Sequence, residues 1–157
     1  MDPLSLTVAT IALLQTATSV VQICYAYRTG LKDAPKDVAR LTEEVTSLRS
    51  VLESLVKLSE MAEITDTSDG VDASAQSRLL ALKLLHKPDG PLDQCTAELE
   101  ALNEKLTAPI TGWKTTSFGK AVRKLKWPMT EQDITSTLTN IERLKTTFNL
   151  ALATDQT

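Results

Sequence analysis

Apolar residues recur along this chain in alternating steps of three and four, the spacing that gathers side chains on one face of an α-helix. The first such run extends from about Leu4 to Arg28. Leu6, Thr10, Leu13, Ala17, Val20, Cys24 and Tyr27 share one face, and all but Thr10 are apolar or aromatic. Gln15, Thr18, Ser19 and Gln22 cluster on the opposite face. Nearer the start, Leu4, Val8 and Ile11 sit on that otherwise polar side. The tip of this helix is therefore apolar nearly all round, and its later half is amphipathic. Gly30 is a suitable C-terminal stop.

A second helix is expected after Asp33-Ala34-Pro35, with Asp33 or Ala34 near the cap, Pro35 in the first turn and an end near Ala62. Val38, Leu41, Val45, Leu48, Leu52 and Leu55 form its seam, widened by Val51 and Leu58. Ile64 to Ser77 read as a loop rich in Thr, Ser and Asp, with Gly70 inside. A short leucine-dense helix from Arg78 to His86 is broken by Pro88-Asp89-Gly90-Pro91. The next helix carries Leu92, Cys95, Leu99, Leu102 and Leu106 and ends at Pro109 and Gly112. A short basic segment from about Phe118 to Trp127 is stopped by Pro128. The last helix opens at Thr130, with Asp133 placed like the third residue of a capping box and Met129 and Ile134 as the matching staple. Its inward face is Ile134, Leu138, Ile141, Leu144, Phe148 and Ala151. There is no long strand pattern and no internal repeat. The pattern predicts one all-α domain over residues 1–157, an up-down bundle of four long helices with one or two short extra helices.

Composition agrees with that class. The chain has 157 residues, 42% hydrophobic and 24% charged, with only 4% aromatic residues. Leu, Val, Ile and Ala must fill the core, a palette that suits helix on helix. The net charge of −3 does not point to nucleic acid as a partner. Two cysteines and no Asn-x-Ser/Thr acceptor fit an intracellular setting.

Candidate chemistry is sparse. The single histidine, His86, stands in a leucine-rich helix with no nucleophile-elbow pattern, so no catalytic residue and no enzymatic activity are expected. Cys24 and Cys95 fall on seam positions and read as small buried hydrophobes, not zinc ligands. Asp66, Asp69 and Asp72 lack the ligand order and closing Glu of a calcium loop. Gly112 to Lys120 superficially suggests a phosphate loop, but the spacing is too long and Ala121 stands where Ser or Thr should hold magnesium. No metal and no cofactor are expected.

Two charge features remain. Between Lys105 and Glu131 there is no acidic residue, while Lys114, Lys120, Arg123, Lys124 and Lys126 are interleaved with Trp113, Phe118 and Trp127. This reads either as a solvated face with core tryptophans or as a patch for anionic lipid headgroups, with Lys120, Arg123, Lys124 and Lys126 in contact. From Pro3 to Tyr27, by contrast, no residue is charged. A helix of that length reaches about 37 Å, enough for a hydrocarbon core about 30 Å thick. The leading positive region of a signal peptide is missing, since the only early charge is Asp2. The segment reads either as a core helix or as one able to enter a membrane.

The opening Met1-Asp2-Pro3-Leu4-Ser5 with its uncharged helix closely resembles the N-terminal domain of fungal STAND (NLR-like) receptors, a group of HeLo-like domains. Asp33-Ala34-Pro35-Lys36-Asp37, Arg40-Leu41, Glu44-Val45, Leu48, Gly90-Pro91-Leu92, Leu125-Lys126-Trp127-Pro128 and Ile141 to Leu152 carry the resemblance onward, over nearly the whole chain. The resemblance implies a helical bundle placed ahead of a nucleotide-binding oligomerisation module and a repeat-based sensor. It also implies a role in programmed cell death or incompatibility. There, induced oligomerisation releases the first helix onto the membrane, and no catalytic residue takes part. Carried over here, that helix is Leu4 to Tyr27, with Leu4, Leu6, Val8, Ile11, Leu13 and Leu14 as the penetrating tip. The expectation is a cytoplasmic protein recruited to the plasma membrane on activation, with its own copies and anionic lipids as partners. The alternative is a helical adaptor that pairs with itself or another helical domain and never enters lipid. Whether the chain is an excised domain or a free-standing protein stays open.

Overall fold

The computed structural model describes residues 3–30, 36–66, 80–108 and 127–153. Five helices lie there: α1 (Pro3–Gly30), α2 (Lys36–Asp66), α3 (80–85), α4 (Pro91–Thr107) and α5 (Glu131–Ala153). No strand occurs among the described residues, and the fold is all-α as the spacing predicts. The caps expected at Asp33 to Pro35, the loop around Gly70 and the basic segment from Phe118, apart from Trp127, fall outside the described residues. One boundary differs. α2 runs past Ala62 to Asp66, because no Gly or Pro interrupts it before Gly70.

The seams become the core. Every seam position of α1, from Leu6 to Tyr27, is buried, as are Val38, Leu41, Val45, Leu48, Leu52, Leu55 and Leu58 of α2. Leu92, Cys95, Leu99, Leu102 and Leu106 of α4 join them, with Ile134, Ile141, Leu144 and Phe148 of α5. Leu138 and Ala151 pack on this core half-buried.

Cross-helix contacts fix the arrangement. Thr7 meets Ser59, so α1 and α2 run antiparallel. The Tyr27 hydroxyl donates to the Leu106 carbonyl at 2.6 Å, which brings the C-terminal ends of α1 and α4 together. At the other end, Leu6 packs with Leu82 of α3, just ahead of α4. Thus α1 and α4 are parallel. Lys145 reaches Glu44 at 2.8 Å, and Leu152 packs near Leu58, so α5 runs parallel to α2. Asn140 to Glu98 and Lys105 to Asp133 set α5 antiparallel to α4. Direction alternates along the chain, yet two antiparallel hairpins stand side by side, and α1 lies diagonal to α5.

Local chemistry explains the helix starts. The Asp133 backbone N–H donates to the Thr130 hydroxyl at 3.1 Å, and the Thr130 N–H donates to the Asp133 carboxylate at 3.1 Å. This is the reciprocal capping box, with Met129 and Ile134 both buried beside it. Lys105 lies 3.0 Å from the same carboxylate, and this cation together with the Thr130 donors holds Asp133 below its ordinary pKa. Thr130→Ala is expected to lower stability by about 1 kcal/mol in a denaturant titration. A carboxyl depressed in the folded state stabilises above its unfolded pKa. That contribution disappears as pH falls through the folded value, so the cost of Asp133→Asn is expected to shrink in acid.

The turn before α4 is equally specific. Asp89 adopts a positive φ of 58°, which Asp tolerates better than most residues. Its N–H donates to the Asp93 carboxylate at 2.9 Å. Gly90 follows as the cap, with Pro91 opening the helix. A Cβ on Gly90 would lie 2.8 Å from the Lys87 carbonyl oxygen and 2.9 Å from the Lys87 Cγ. Gly90→Ala is therefore expected to cost about 1–3 kcal/mol by crowding, read as a lower thermal midpoint.

Candidate functional site

α1 occupies one corner of the bundle, against α2 and α4, and its outer face has an unusual chemistry. Among the described side chains, the exposed positions before Arg28 are Val8, Ala12, Gln15, Gln22 and Tyr25, none of them charged. The outer faces of the other long helices are ordinary. α2 exposes Arg40, Glu43, Glu53 and Lys57; α4 exposes Asp93, Glu100 and Glu104; α5 exposes Glu131, Glu142 and Arg143. A central core helix lacks charge because water never reaches it. α1 lacks charge on a side that water does reach: 44% of its most apolar window is buried. The helix is long and apolar enough to cross a membrane, by length and composition.

Its hydroxyls are largely settled within the helix. Thr10, Thr16 and Thr18 each donate to the carbonyl four residues back, at 2.7, 3.1 and 2.9 Å. Such back-bonding lets threonine sit in a helix without demanding an outside partner. Gln15, Ser19 and Gln22 fall one turn apart on a single stripe, with Val8, Ile11 and Ala26 on the same face. Shallow depressions run along it between Ile11, Leu14, Thr18, Gln22 and Ala26.

Among the described residues, the attachment of α1 to the bundle is neutral. Its one charged side chain is Arg28. Apart from the apolar seam, Thr7 Oγ1 donates to Ser59 Oγ at 3.1 Å, the Cys24 thiol meets Thr42, and Tyr27 bonds Leu106. The Tyr27 ring also meets Trp127 edge-on, centroids 5.1 Å apart. In contrast, charged groups fasten α5 to both of its neighbours, through Glu44, Glu98 and Lys105.

The residues expected at the penetrating tip divide. Leu6 and Leu13 lie in the core, Ile11 and Leu14 are half-buried, and Val8 is 59% exposed. The Leu4 side chain falls outside the described residues, as do Lys120, Arg123, Lys124 and Lys126. Burial pushes the Cys24 and Cys95 thiols up to about 12, so both stay protonated at neutral pH. Among the described residues no group of three His, Cys, Asp or Glu side chains is placed to hold a metal.

The family model for the N-terminal domain of pigment biosynthesis cluster protein PigL matches residues 1–156. The chain belongs to that family. No curated protein and no solved structure matches the chain. Features of this PigL N-terminal domain that the seam pattern left unsorted are the outer leucines of α3. Leu80 and Leu84 are exposed while Leu82 and Leu85 are buried. One available signal was the acid-free stretch from residue 73 to Pro88, which contains Arg78, Lys83 and Lys87.

Proposed function

We propose that this domain is a non-enzymatic, signal-dependent effector that targets membranes through α1. The observation that carries the reading is the uncharged outer face of a helix at the edge of the bundle. Water-facing helix surfaces in soluble domains normally bear charge. A span that must later enter lipid cannot, because a charge at its centre costs about 2.5–3.5 kcal/mol. Neutral attachment among the described residues supports the same reading: α1 can leave them without stranding a buried ion, whose loss of partner would be strongly unfavourable. Back-bonded threonines lower the cost of its polar content, and the stripe of Gln15, Ser19 and Gln22 can pair between copies, as polar and small residues do in membrane interfaces.

In this reading the protein is cytoplasmic at rest and moves to the plasma membrane when its copies are driven together. The resemblance to HeLo-like domains of fungal STAND receptors supplies the context. There, a nucleotide-binding module following in the same chain would drive oligomerisation and lead to cell death. The test is dye leakage from vesicles containing an anionic phospholipid, with the domain alone and fused to an oligomerising tag. Leakage by the tagged form supports the proposal; intact vesicles at every protein concentration would sink it.

The depressions between Ile11, Leu14, Thr18, Gln22 and Ala26 favour a second reading, an adaptor whose α1 face receives a helix of another copy or another domain. Stable pairing in solution with indifference to vesicles would select it.

A further inference from the structure

Six large hydrophobic residues are more than two-fifths exposed among the described residues: Val8, Tyr25, Met61, Leu80, Leu84 and Leu150. All but Tyr25 come from the same end of the bundle. Val8 lies near the start of α1, Met61 near the end of α2, Leu150 near the end of α5, and Leu80 and Leu84 on α3. These elements converge on one small core, where Leu6, Leu58 and Leu82 pack together with Leu152 against them. Scattered exposed leucines are common, but five large apolar side chains at one pole of a small domain are not.

Cations accompany them. Lys83 and Lys87 are exposed on and just after α3, and with His86 and Pro88 they line a recess that reaches Leu6. Lys57 lies beside Met61 and Leu58 in the neighbouring hollow between α2 and α5. From residue 80 to Pro88 there is no acidic residue. Among the described side chains, Glu60 of α2 and Asp89, just after Pro88, are exposed acids nearby, and the Asp93 carboxylate is engaged by the Asp89 N–H.

We infer that this pole, centred on α3, is a docking surface for anionic phospholipid bilayers. The inference rests on the reading of α1 as membrane-directed. The exposed apolar residues come from four helices at this pole, with the exposed Lys57, Lys83 and Lys87 beside them. Exposed leucines with lysines beside them match the bilayer interface. The leucines enter the boundary of headgroup and acyl chain, and the ammonium groups meet phosphate. Docking at this pole places the first turns of α1, with Val8 exposed, against the lipid before any helix leaves the bundle.

Flotation of the untagged 157-residue protein with phosphatidylcholine vesicles, with and without phosphatidylserine, tests this. The wild type is expected to float with the anionic vesicles and to lose that binding in high salt. Lys83→Gln/Lys87→Gln is expected to weaken partitioning by roughly 30-fold, since each basic residue near an anionic surface contributes about a fivefold factor. Leu80→Ser/Leu84→Ser is expected to weaken it at least as much. All four side chains project into solvent, so both variants should keep the wild-type thermal midpoint. Equal flotation of both variants and the wild type, or equal wild-type flotation with neutral vesicles, overturns the inference. Leakage by the tagged domain separates the two proposals. If the tagged wild type leaks and both α3 variants float normally, the docking surface falls and the role of α1 stands. If nothing leaks but flotation depends on α3, the docking surface stands and the role of α1 falls.

Discussion

Ala12→Lys is expected to leave the soluble bundle folded and to reduce vesicle leakage by the oligomerised domain about 100-fold for each copy that must insert. Ala12 is exposed on α1, so the bundle accommodates a lysine there with no change in packing. It lies near the middle of the uncharged span from Pro3 to Tyr27, where an ammonium group meets the hydrocarbon centre. Insertion scales put that cost at about 2.5–3.5 kcal/mol, and about 1.4 kcal/mol is tenfold. If Ala12 instead faces a neighbouring copy, identical charges repel across the contact, which acts in the same direction. Ala12→Leu is the matched control and should leak like the wild type. Flotation of Ala12→Lys should persist, because the pole around α3 is untouched. Circular dichroism and a thermal melt verify the fold of each variant.

Phe148→Ala is expected to destabilise the domain by about 3–5 kcal/mol, the range for deleting a buried aromatic side chain. Phe148 is fully buried in the main core cluster, in the helix that charged contacts tie to both α2 and α4. For a domain of this size the thermal midpoint should fall by on the order of 10 °C. Leu150, two residues further on, is 66% exposed. Leu150→Ala is expected to change stability by less than about 0.5 kcal/mol. Two neighbouring apolar positions with opposite outcomes test the inward face of α5 directly. Equal losses at both would mean that the helix is rotated relative to this fold.

The inward faces were legible because burial imposes the helical period on the sequence. The three-four steps from Leu6 to Tyr27, from Val38 to Leu58 and from Leu92 to Leu106 all end in the core. The cap at Thr130 was legible too, since its chemistry is local and spans only Thr130 to Asp133. Which seam meets which was not. A seam states that a face is inward and is silent on its neighbour, so the parallel pairing of α1 with α4 emerges only from contacts such as Tyr27 to Leu106. The outward Leu80 and Leu84 of α3 were hidden beside the inward Leu82 and Leu85 in a leucine-dense run, where apolar residues fall on both faces.

The candidate site was half legible. An uncharged first helix is plain in the sequence, but a core helix and a membrane-directed helix look the same there. What the structure adds is exposure: Val8, Ala12, Gln15, Gln22 and Tyr25 give α1 a wet, uncharged side. The tip residues show the same limit. Leu6 and Leu13 stabilise the resting bundle, and only departure of α1 would bring them to lipid.

Departure of α1 is therefore the central claim, and a reversible lock measures it. Thr7 Oγ1 and Ser59 Oγ lie 3.1 Å apart, so cysteines at these two positions are within disulfide reach after small rotations. The native Cys24 and Cys95 are buried and protonated at neutral pH, which keeps them out of the exchange. The measurement is dye leakage from anionic vesicles by the tagged Thr7→Cys/Ser59→Cys protein, oxidised and then reduced in the same sample. The account predicts no leakage while α1 is bound to α2 and wild-type leakage once the bond is reduced. Equal leakage from the locked and the reduced protein would contradict it, because the membrane would then be breached with α1 still in the bundle.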